Sequence, residues 1–203
     1  MFYGLSFLFV KKDRKFVFLL LSFIAISFYL LLQKEIGPDY PSYERIYNQI
    51  ANAPWSKVFT IHLSVEPLYR LICKLFSVFG TNYHVFVRIY LLIALMISFF
   101  AFNRDCKNGL LNVIVFIAFS MKWTLAYRQF MAFAIILWAF KFVKNKKIIW
   151  YVLSIIIASM LHITACIAIV IYPIYNIENA YKIYRWIIFV LILIVLTLNA
   201  QII

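Results

Sequence analysis

Arg128 stands in the stretch Lys122-Trp123-Thr124-Leu125-Ala126-Tyr127-Arg128-Gln129, between two apolar runs. A cation at the edge of a membrane is costly and by default marks a functional site. The flanking runs, Leu110–Met121 and Phe130–Phe140, hold 12 and 11 residues. At about 1.5 Å per residue each covers roughly 17–18 Å of a ~30 Å hydrocarbon core. The junction is therefore expected to dip below the membrane surface, where polar backbone must be buried in protein or line a wet cavity. An arginine at the start of the second run would join a helix N-terminus whose free N–H groups favour anions. Together they suit a phosphate or diphosphate. Lys122 and Gln129 crowd the same junction and are further candidate contacts. The plainer alternative is an arginine that snorkels to lipid headgroups.

Other residues could complete such a site. His162 lies about 14 residues into the run Ile148–Tyr172, roughly 21 Å from its inner end. A neutral histidine there could bond a sugar hydroxyl or act as a base, with Thr164 close by. A histidine satisfied by a neighbouring helix is the competing reading. Arg88, near the outer end of another run, is a second candidate for anion contact. Asp39 and Glu66 are carboxylates beside Pro and Gly that could orient an acceptor hydroxyl or take its proton. Turn capping by Asp39 and interaction of Glu66 with a helix N-terminus compete with that role. Tyr40, Tyr43, Trp55 and Tyr69 could stack on sugars, although aromatic belts are common at membrane interfaces.

Composition sets the class. Apolar residues make up 66% of the chain, and mean hydropathy is +0.94. The net charge of +13 is of the kind a nucleic-acid partner favours, but Lys and Arg cluster between apolar runs, which is topology information. No nucleic acid is expected. Three cysteines, Cys73, Cys106 and Cys166, lack disulfide-framework or CxxC spacing and read as packing residues. The three histidines have no metal-ligand spacing, and Gly-rich phosphate loops and GxSxG are absent. No metal and no cofactor is expected.

The elements that would position these residues follow from the apolar runs. Met1–Val10 is too short to span, and the basic cluster Lys11, Lys12, Arg14 and Lys15 follows it, unlike a cleavable signal peptide. Phe16–Leu32 is the first span, leaving from a cytoplasmic N-terminus. Residues 33–64 form an outer loop with a Gly-Pro-Asp turn, Ser42 as helix N-cap, and a short helix carrying Ile46, Tyr47 and Ile50 on one face. Pro54 ends it. Residues 66–79 predict an amphipathic helix at the outer interface: Leu68, Leu71, Ile72, Leu75, Phe76 and Phe79 share one face, Arg70, Lys74 and Ser77 lie off it, and Gly80 stops it. Val85–Phe102, Leu110–Met121, Phe130–Phe140, Ile148–Tyr172 and Trp186–Ile203 complete the spans. About half of the basic residues fall in the short segments 11–15, 104–107 and 141–147, as the positive-inside rule expects of cytoplasmic loops. The expectation is an all-α, polytopic transmembrane helix bundle with about six spans, one integral membrane domain over residues 1–203.

Four motifs occur in order: Gly37-x-Asp39-Tyr40-x-x-Tyr43, Glu66-Pro67-Leu68, Arg128-Gln129-x-x-Ala132 and Leu161-His162-Ile163-Thr164-Ala165. The chain resembles the EpsG family, the Wzy-like polymerases of bacterial exopolysaccharide and capsule. Pro38 replaces a Thr and Thr164 a Ser in the family pattern, and Gln33-Lys34-Glu35 stands where an Arg is usual. Family members usually continue through further spans, so the chain is expected to be incomplete relative to them. The resemblance implies polymerisation, on the outer face of the bacterial cytoplasmic membrane, of oligosaccharide units carried on undecaprenyl diphosphate. A flippase and a chain-length regulator would be protein partners, and the bilayer the surrounding medium. Such chemistry needs a cation for the departing diphosphate and a base for the acceptor hydroxyl. Two other classes compete: another lipid-linked glycosyltransferase or ligase, and a non-enzymatic transporter or assembly subunit. Few glycines and no internal repeat speak against the transporter.

Overall fold

The computed structural model describes residues 12–33, 39–105, 109–123 and 126–176. Helix α1 spans Lys12–Leu32, α2 Tyr40–Asn52, α3 Pro67–Val78, α4 Tyr83–Asp105, α5 Gly109–Trp123, α6 Tyr127–Lys144, α7 Ile148–Ser159 and α8 Ile171–Asn176. Short 3₁₀ helices cover Trp55–Lys57 and Ile163–Val170. The described residues are all helix and turn, as the sequence implies. Among them one helix, α4, is clearly long and apolar enough to cross a membrane, beside several shorter apolar helices. The expected sixth span, Trp186–Ile203, lies outside the described residues, as do Met1–Val10 and Cys106.

Helices α4 and α6 form the most extensive pairing, with α7 against α6 and α1 against α4 and α5. Ala132, Ala134 and Ala139 of α6 are buried. Small side chains there let helix backbones approach closely, which is how apolar helices associate without a hydrophobic drive between them. Along α4 the buried residues are Tyr83, Phe86, Val87, Tyr90, Leu91, Ala94, Leu95 and Ser98, then Phe99, Ala101 and Phe102. This is a helical stripe. Hydrophobicity does not reveal it, because the exposed residues of α4 are apolar too.

Helices α2 and α3 pack on each other, and α2 also meets α4. The predicted short helix exists and runs Tyr40–Asn52, burying Tyr40, Tyr47 and Ile50. Its N-cap is Asp39, without a side-chain capping bond, rather than Ser42. Pro41 explains the early start, because proline is tolerated in a first turn where its missing N–H costs nothing. Gly80 ends α3 at φ 68°, a left-handed conformation that glycine takes without strain.

Helix α3 corrects one expectation. Its buried residues include Arg70 and Lys74, while Leu75, Val78 and Phe79 are exposed. The Arg70 guanidinium donates to the carbonyls of Phe59 and Ile61, each at 2.8 Å. The Lys74 ammonium donates to those of Ala51 and Ala53 at 2.8 and 2.7 Å. The two cations are thus consumed in pinning the loop backbone, which would otherwise bury unsatisfied carbonyls. Leu68, Ile72 and Phe76 pack against the core, and Leu75, Val78 and Phe79 are left outward, where a bilayer interface can cover them.

A second correction concerns Ile148–Tyr172. It is not one span: α7 stops at Ser159, residues 160–162 turn, and His162 is extended at φ −159°. Cys166, expected to pack, is exposed, whereas Cys73 is buried.

Candidate functional site

The break after α7 is where the site forms. A helix interrupted in apolar surroundings strands carbonyls at one end and N–H groups at the other. The start of α3 serves both. Leu68 N–H donates to Met160 O at 3.0 Å, and Ile163 N–H donates to Glu66 Oε1 at 3.0 Å. Pro67 between them has no N–H that would need a partner. Glu66-Pro67-Leu68 is thus a clip across a broken helix, and the helix-N-terminus interaction weighed for Glu66 is present.

The other carboxylate oxygen of Glu66 accepts from the Arg128 guanidinium, which also donates to the Tyr43 hydroxyl. The guanidinium carbon lies 4.5 Å from the Tyr43 ring centre and 5.5 Å from that of Tyr69, within cation–π range. Arg128 is the second residue of α6, whose N-cap, Ala126, supplies no side-chain capping bond. Two of the roughly five guanidinium N–H donors are used in the bonds above.

His162 Nδ1 lies 3.1 Å from Glu66 Oε1. The pairing is one of proximity and charge rather than of a well-aligned hydrogen bond, and Nε2 has no partner. A proton on Nδ1, facing the carboxylate, leaves Nε2 as an acceptor. Burial alone would raise the Glu66 carboxyl, but His162, the Ile163 N–H, its own backbone and Arg128 outweigh burial and hold it down at about 2. Glu66 is therefore a fixed anion and a poor proton acceptor near neutrality.

These groups line a cavity of about 50 Å³ with Asp39, Tyr43, Ala126, Tyr127, Arg128, Gln129 and His162 on its walls. That volume holds little more than a water or two, at roughly 30 Å³ each. A larger ligand can present only one group to it, at the mouth. Beneath lies a tyrosine cluster. Tyr83 donates to the Tyr127 hydroxyl at 2.6 Å and Tyr69 at 3.4 Å, and Tyr43 meets Tyr127 edge to face at 5.2 Å.

Of the residues singled out from sequence, the structure brings Arg128, Glu66, His162, Tyr43, Asp39 and Gln129 together. Tyr40 is instead buried, its hydroxyl 2.9 Å from His84 Nδ1. Arg88 donates to Gln33 O at 2.7 Å, tying α4 to the end of α1. Thr164 is exposed on the 3₁₀ helix. Lys122 lies in the last turn of α5, and its side chain is outside the described residues. Tyr127, whose ring meets Tyr43 and Tyr69, and Tyr83, hydrogen-bonded to Tyr127, did not stand out in the sequence. Adjacency to Arg128 was the available signal for Tyr127. Tyr69, read as a stacking residue, is fully buried under the guanidinium instead.

Among the described residues no cluster of His, Cys, Asp and Glu could hold a metal ion. Cationic and dipolar groups are what the site offers an anion. No curated protein and no solved structure matches the chain. A model of the EpsG family matches residues 16–203, which include every residue of the cavity, and the chain belongs to the EpsG family.

Proposed function

We propose that the protein joins lipid-diphosphate-linked oligosaccharide units on the outer face of the bacterial cytoplasmic membrane. Membership of the EpsG family and the apolar helices support a membrane protein with a polysaccharide-polymerase-like role. The observation that carries the reading is one cavity lined by both Arg128, at the start of α6, and His162. In the reaction, the bond between the anomeric carbon of the growing chain and its diphosphate oxygen breaks. A hydroxyl oxygen of the incoming unit bonds to that carbon. The hydroxyl proton passes to His162 Nε2, and the departing diphosphate is stabilised by Arg128 and the N–H groups of α6. Glu66 holds both Arg128 and His162 in place, and Asp39 at the cavity rim can orient the acceptor hydroxyl. A flippase supplying the lipid-linked unit and a chain-length regulator are the fitting partners.

The test uses cells lacking their own polymerase. Arg128→Lys keeps the charge but loses the planar fork, and with Arg128→Ala it should cut polymer by about 100-fold or more at normal membrane abundance. Cysteine placed at Asn52 should label from outside intact cells and cysteine at Asn145 should not, consistent with the proposed orientation. Wild-type polymer levels from Arg128→Ala, or the reverse labelling, would sink the proposal.

The helix break itself favours a second reading, because discontinuous helices are a device of carriers for anionic substrates. A carrier of the same lipid-linked saccharide would need Arg128 for binding and would move saccharide without forming new linkages in purified vesicles.

A further inference from the structure

A second, much larger depression lies on the other side of α2. It is an open groove of about 900 Å³, within the range of roughly 300–1,000 Å³ usual for ligand sites. Its lining is polar: Glu44, Arg45, Asn48, Gln49 and Asn52 of α2, facing Lys57 across the turn that follows. Residues 44, 48 and 52 recur at four-residue spacing, with 45 and 49 beside them, so they form one face. Tyr40, Tyr47 and Ile50 occupy the buried face opposite. The apolar side of α2 accounts for its packing, and nothing in the packing requires three amides in a row on the other.

His62 closes the groove and is unusual twice over. Its φ is 51°, a left-handed conformation sparsely populated by residues other than glycine, which needs surrounding structure to hold it. The residue lines the groove, while its Nε2 is buried behind that wall with no hydrogen-bond partner. Charge argues against a strongly ionic occupant, because Glu44 opposes Arg45 and Lys57 along the same wall. Carboxamides, which donate and accept at once, match sugar hydroxyls, which do the same. Trp55, between the lining residues Pro54 and Lys57 in sequence, is exposed outside the lining, with the Lys74 ammonium 5.7 Å from its ring centre.

Helix α2 also joins this groove to the Arg128 cavity. Asp39 and Tyr43 face the cavity, while Pro41 and Glu44, in the same turn, face the groove. We infer that the groove is a track for a neutral or weakly acidic oligosaccharide, the saccharide chain extending from the bond formed at the Arg128 cavity. This inference rests on the polymerase reading above.

The protein is purified in detergent micelles with the extracellular polysaccharide of its own source strain, partly hydrolysed, as probe. Hydrogen–deuterium exchange should slow across residues 44–62 on adding the probe. Asn48→Ala and Asn52→Ala should each weaken binding by roughly two- to tenfold, the value of one hydrogen bond. Asn48→Trp, which fills the groove, should abolish it and shorten the polymer several-fold in cells. Retained exchange protection in the Asn48→Trp protein, or no protection in the wild type, overturns the groove assignment. If Arg128→Ala abolishes polymer while Asn48→Trp leaves its length unchanged at equal abundance, the polymerase reading stands and this inference alone fails. If Arg128→Ala leaves polymer intact, the polymerase reading itself fails.

Discussion

Helix α6 carries an ion cluster at each end, each built of basic side chains around one carboxylate. At its C-terminus, Lys144 pairs with Asp105 at 2.7 Å, and Asp105 also pairs with its sequence neighbour Arg104. At its N-terminus, Arg128 pairs with Glu66, which in turn holds His162 and the Ile163 N–H. The first cluster is the more open, with side chains 18–33% exposed, and its cations lie against Trp138 and Phe140 in the manner of interfacial anchors. The second is 12–14% exposed, draws its members from three separate segments, and leaves a histidine nitrogen unsatisfied. Exposed pairs are screened by solvent and contribute little. Buried ones cost desolvation and must be completed by further bonds. An unfinished buried network is therefore poor as an anchor and apt as a binding site, whereas the open, solvent-screened cluster has little to offer a ligand.

The comparison can be broken most sharply at the carboxylates. Glu66→Gln removes a partner from Arg128 and His162 together, and breaking a buried pair costs on the order of 3–5 kcal/mol. A large fall in the thermal midpoint in detergent, with loss of polymer, is expected. A midpoint equal to wild type would show that the clip across the helix break contributes nothing.

The unsatisfied nitrogen gives the next effect. If His162 Nε2 takes the acceptor proton, His162→Ala and His162→Gln should lose activity alike, by about 10²–10⁴-fold, with membrane abundance near normal. A positioning histidine would instead be partly rescued by Gln. Reduced abundance with unchanged polymer per molecule would assign His162 to packing alone.

Acid should separate the clusters more gently. The Glu66 carboxyl is depressed from 4.5 to about 2, so its contribution to stability is fully present above pH 4.5 and is lost as pH falls toward 2. One carboxyl gives a slope of at most about 1.4 kcal/mol per pH unit. The Glu66→Gln protein should lack that part of the slope, and an identical acid profile in the two proteins would contradict the pairing seen here. Smallest of all, Asp105→Asn should cost only about 0–1 kcal/mol, as exposed pairs do, and should leave polymer length unchanged. Loss of polymer from Asp105→Asn would erase the distinction between the two ends of α6.

Much of this was legible beforehand. The short helix between Pro41 and Pro54, the start of α3 at Pro67 and its stop at Gly80 follow from local chemistry: proline in a first turn, glycine at a left-handed end. Arg128, Glu66, His162, Asp39, Tyr43 and Gln129 stood out because polar groups are scarce and expensive in an apolar chain. Composition and hydrophobic run length determined a helical membrane protein for the same reason. Four other things depend on where distant segments meet. A continuous apolar run from Ile148 to Tyr172 gives no sign that its helix breaks near His162, because the compensating bonds come from Glu66 and Leu68 in another element. The amphipathic pattern of α3 gives no sign that Arg70 and Lys74 turn inward, because the carbonyls they bind belong to the preceding loop. Tyr40 and Arg88 looked like site residues until packing gave them His84 and Gln33 as partners. The pairing of Arg128 with a carboxylate rather than with solvent or lipid was likewise decided only by the fold. Local rules act through neighbouring residues and are written in order along the chain, whereas satisfaction of a buried polar group is a property of the assembled tertiary structure.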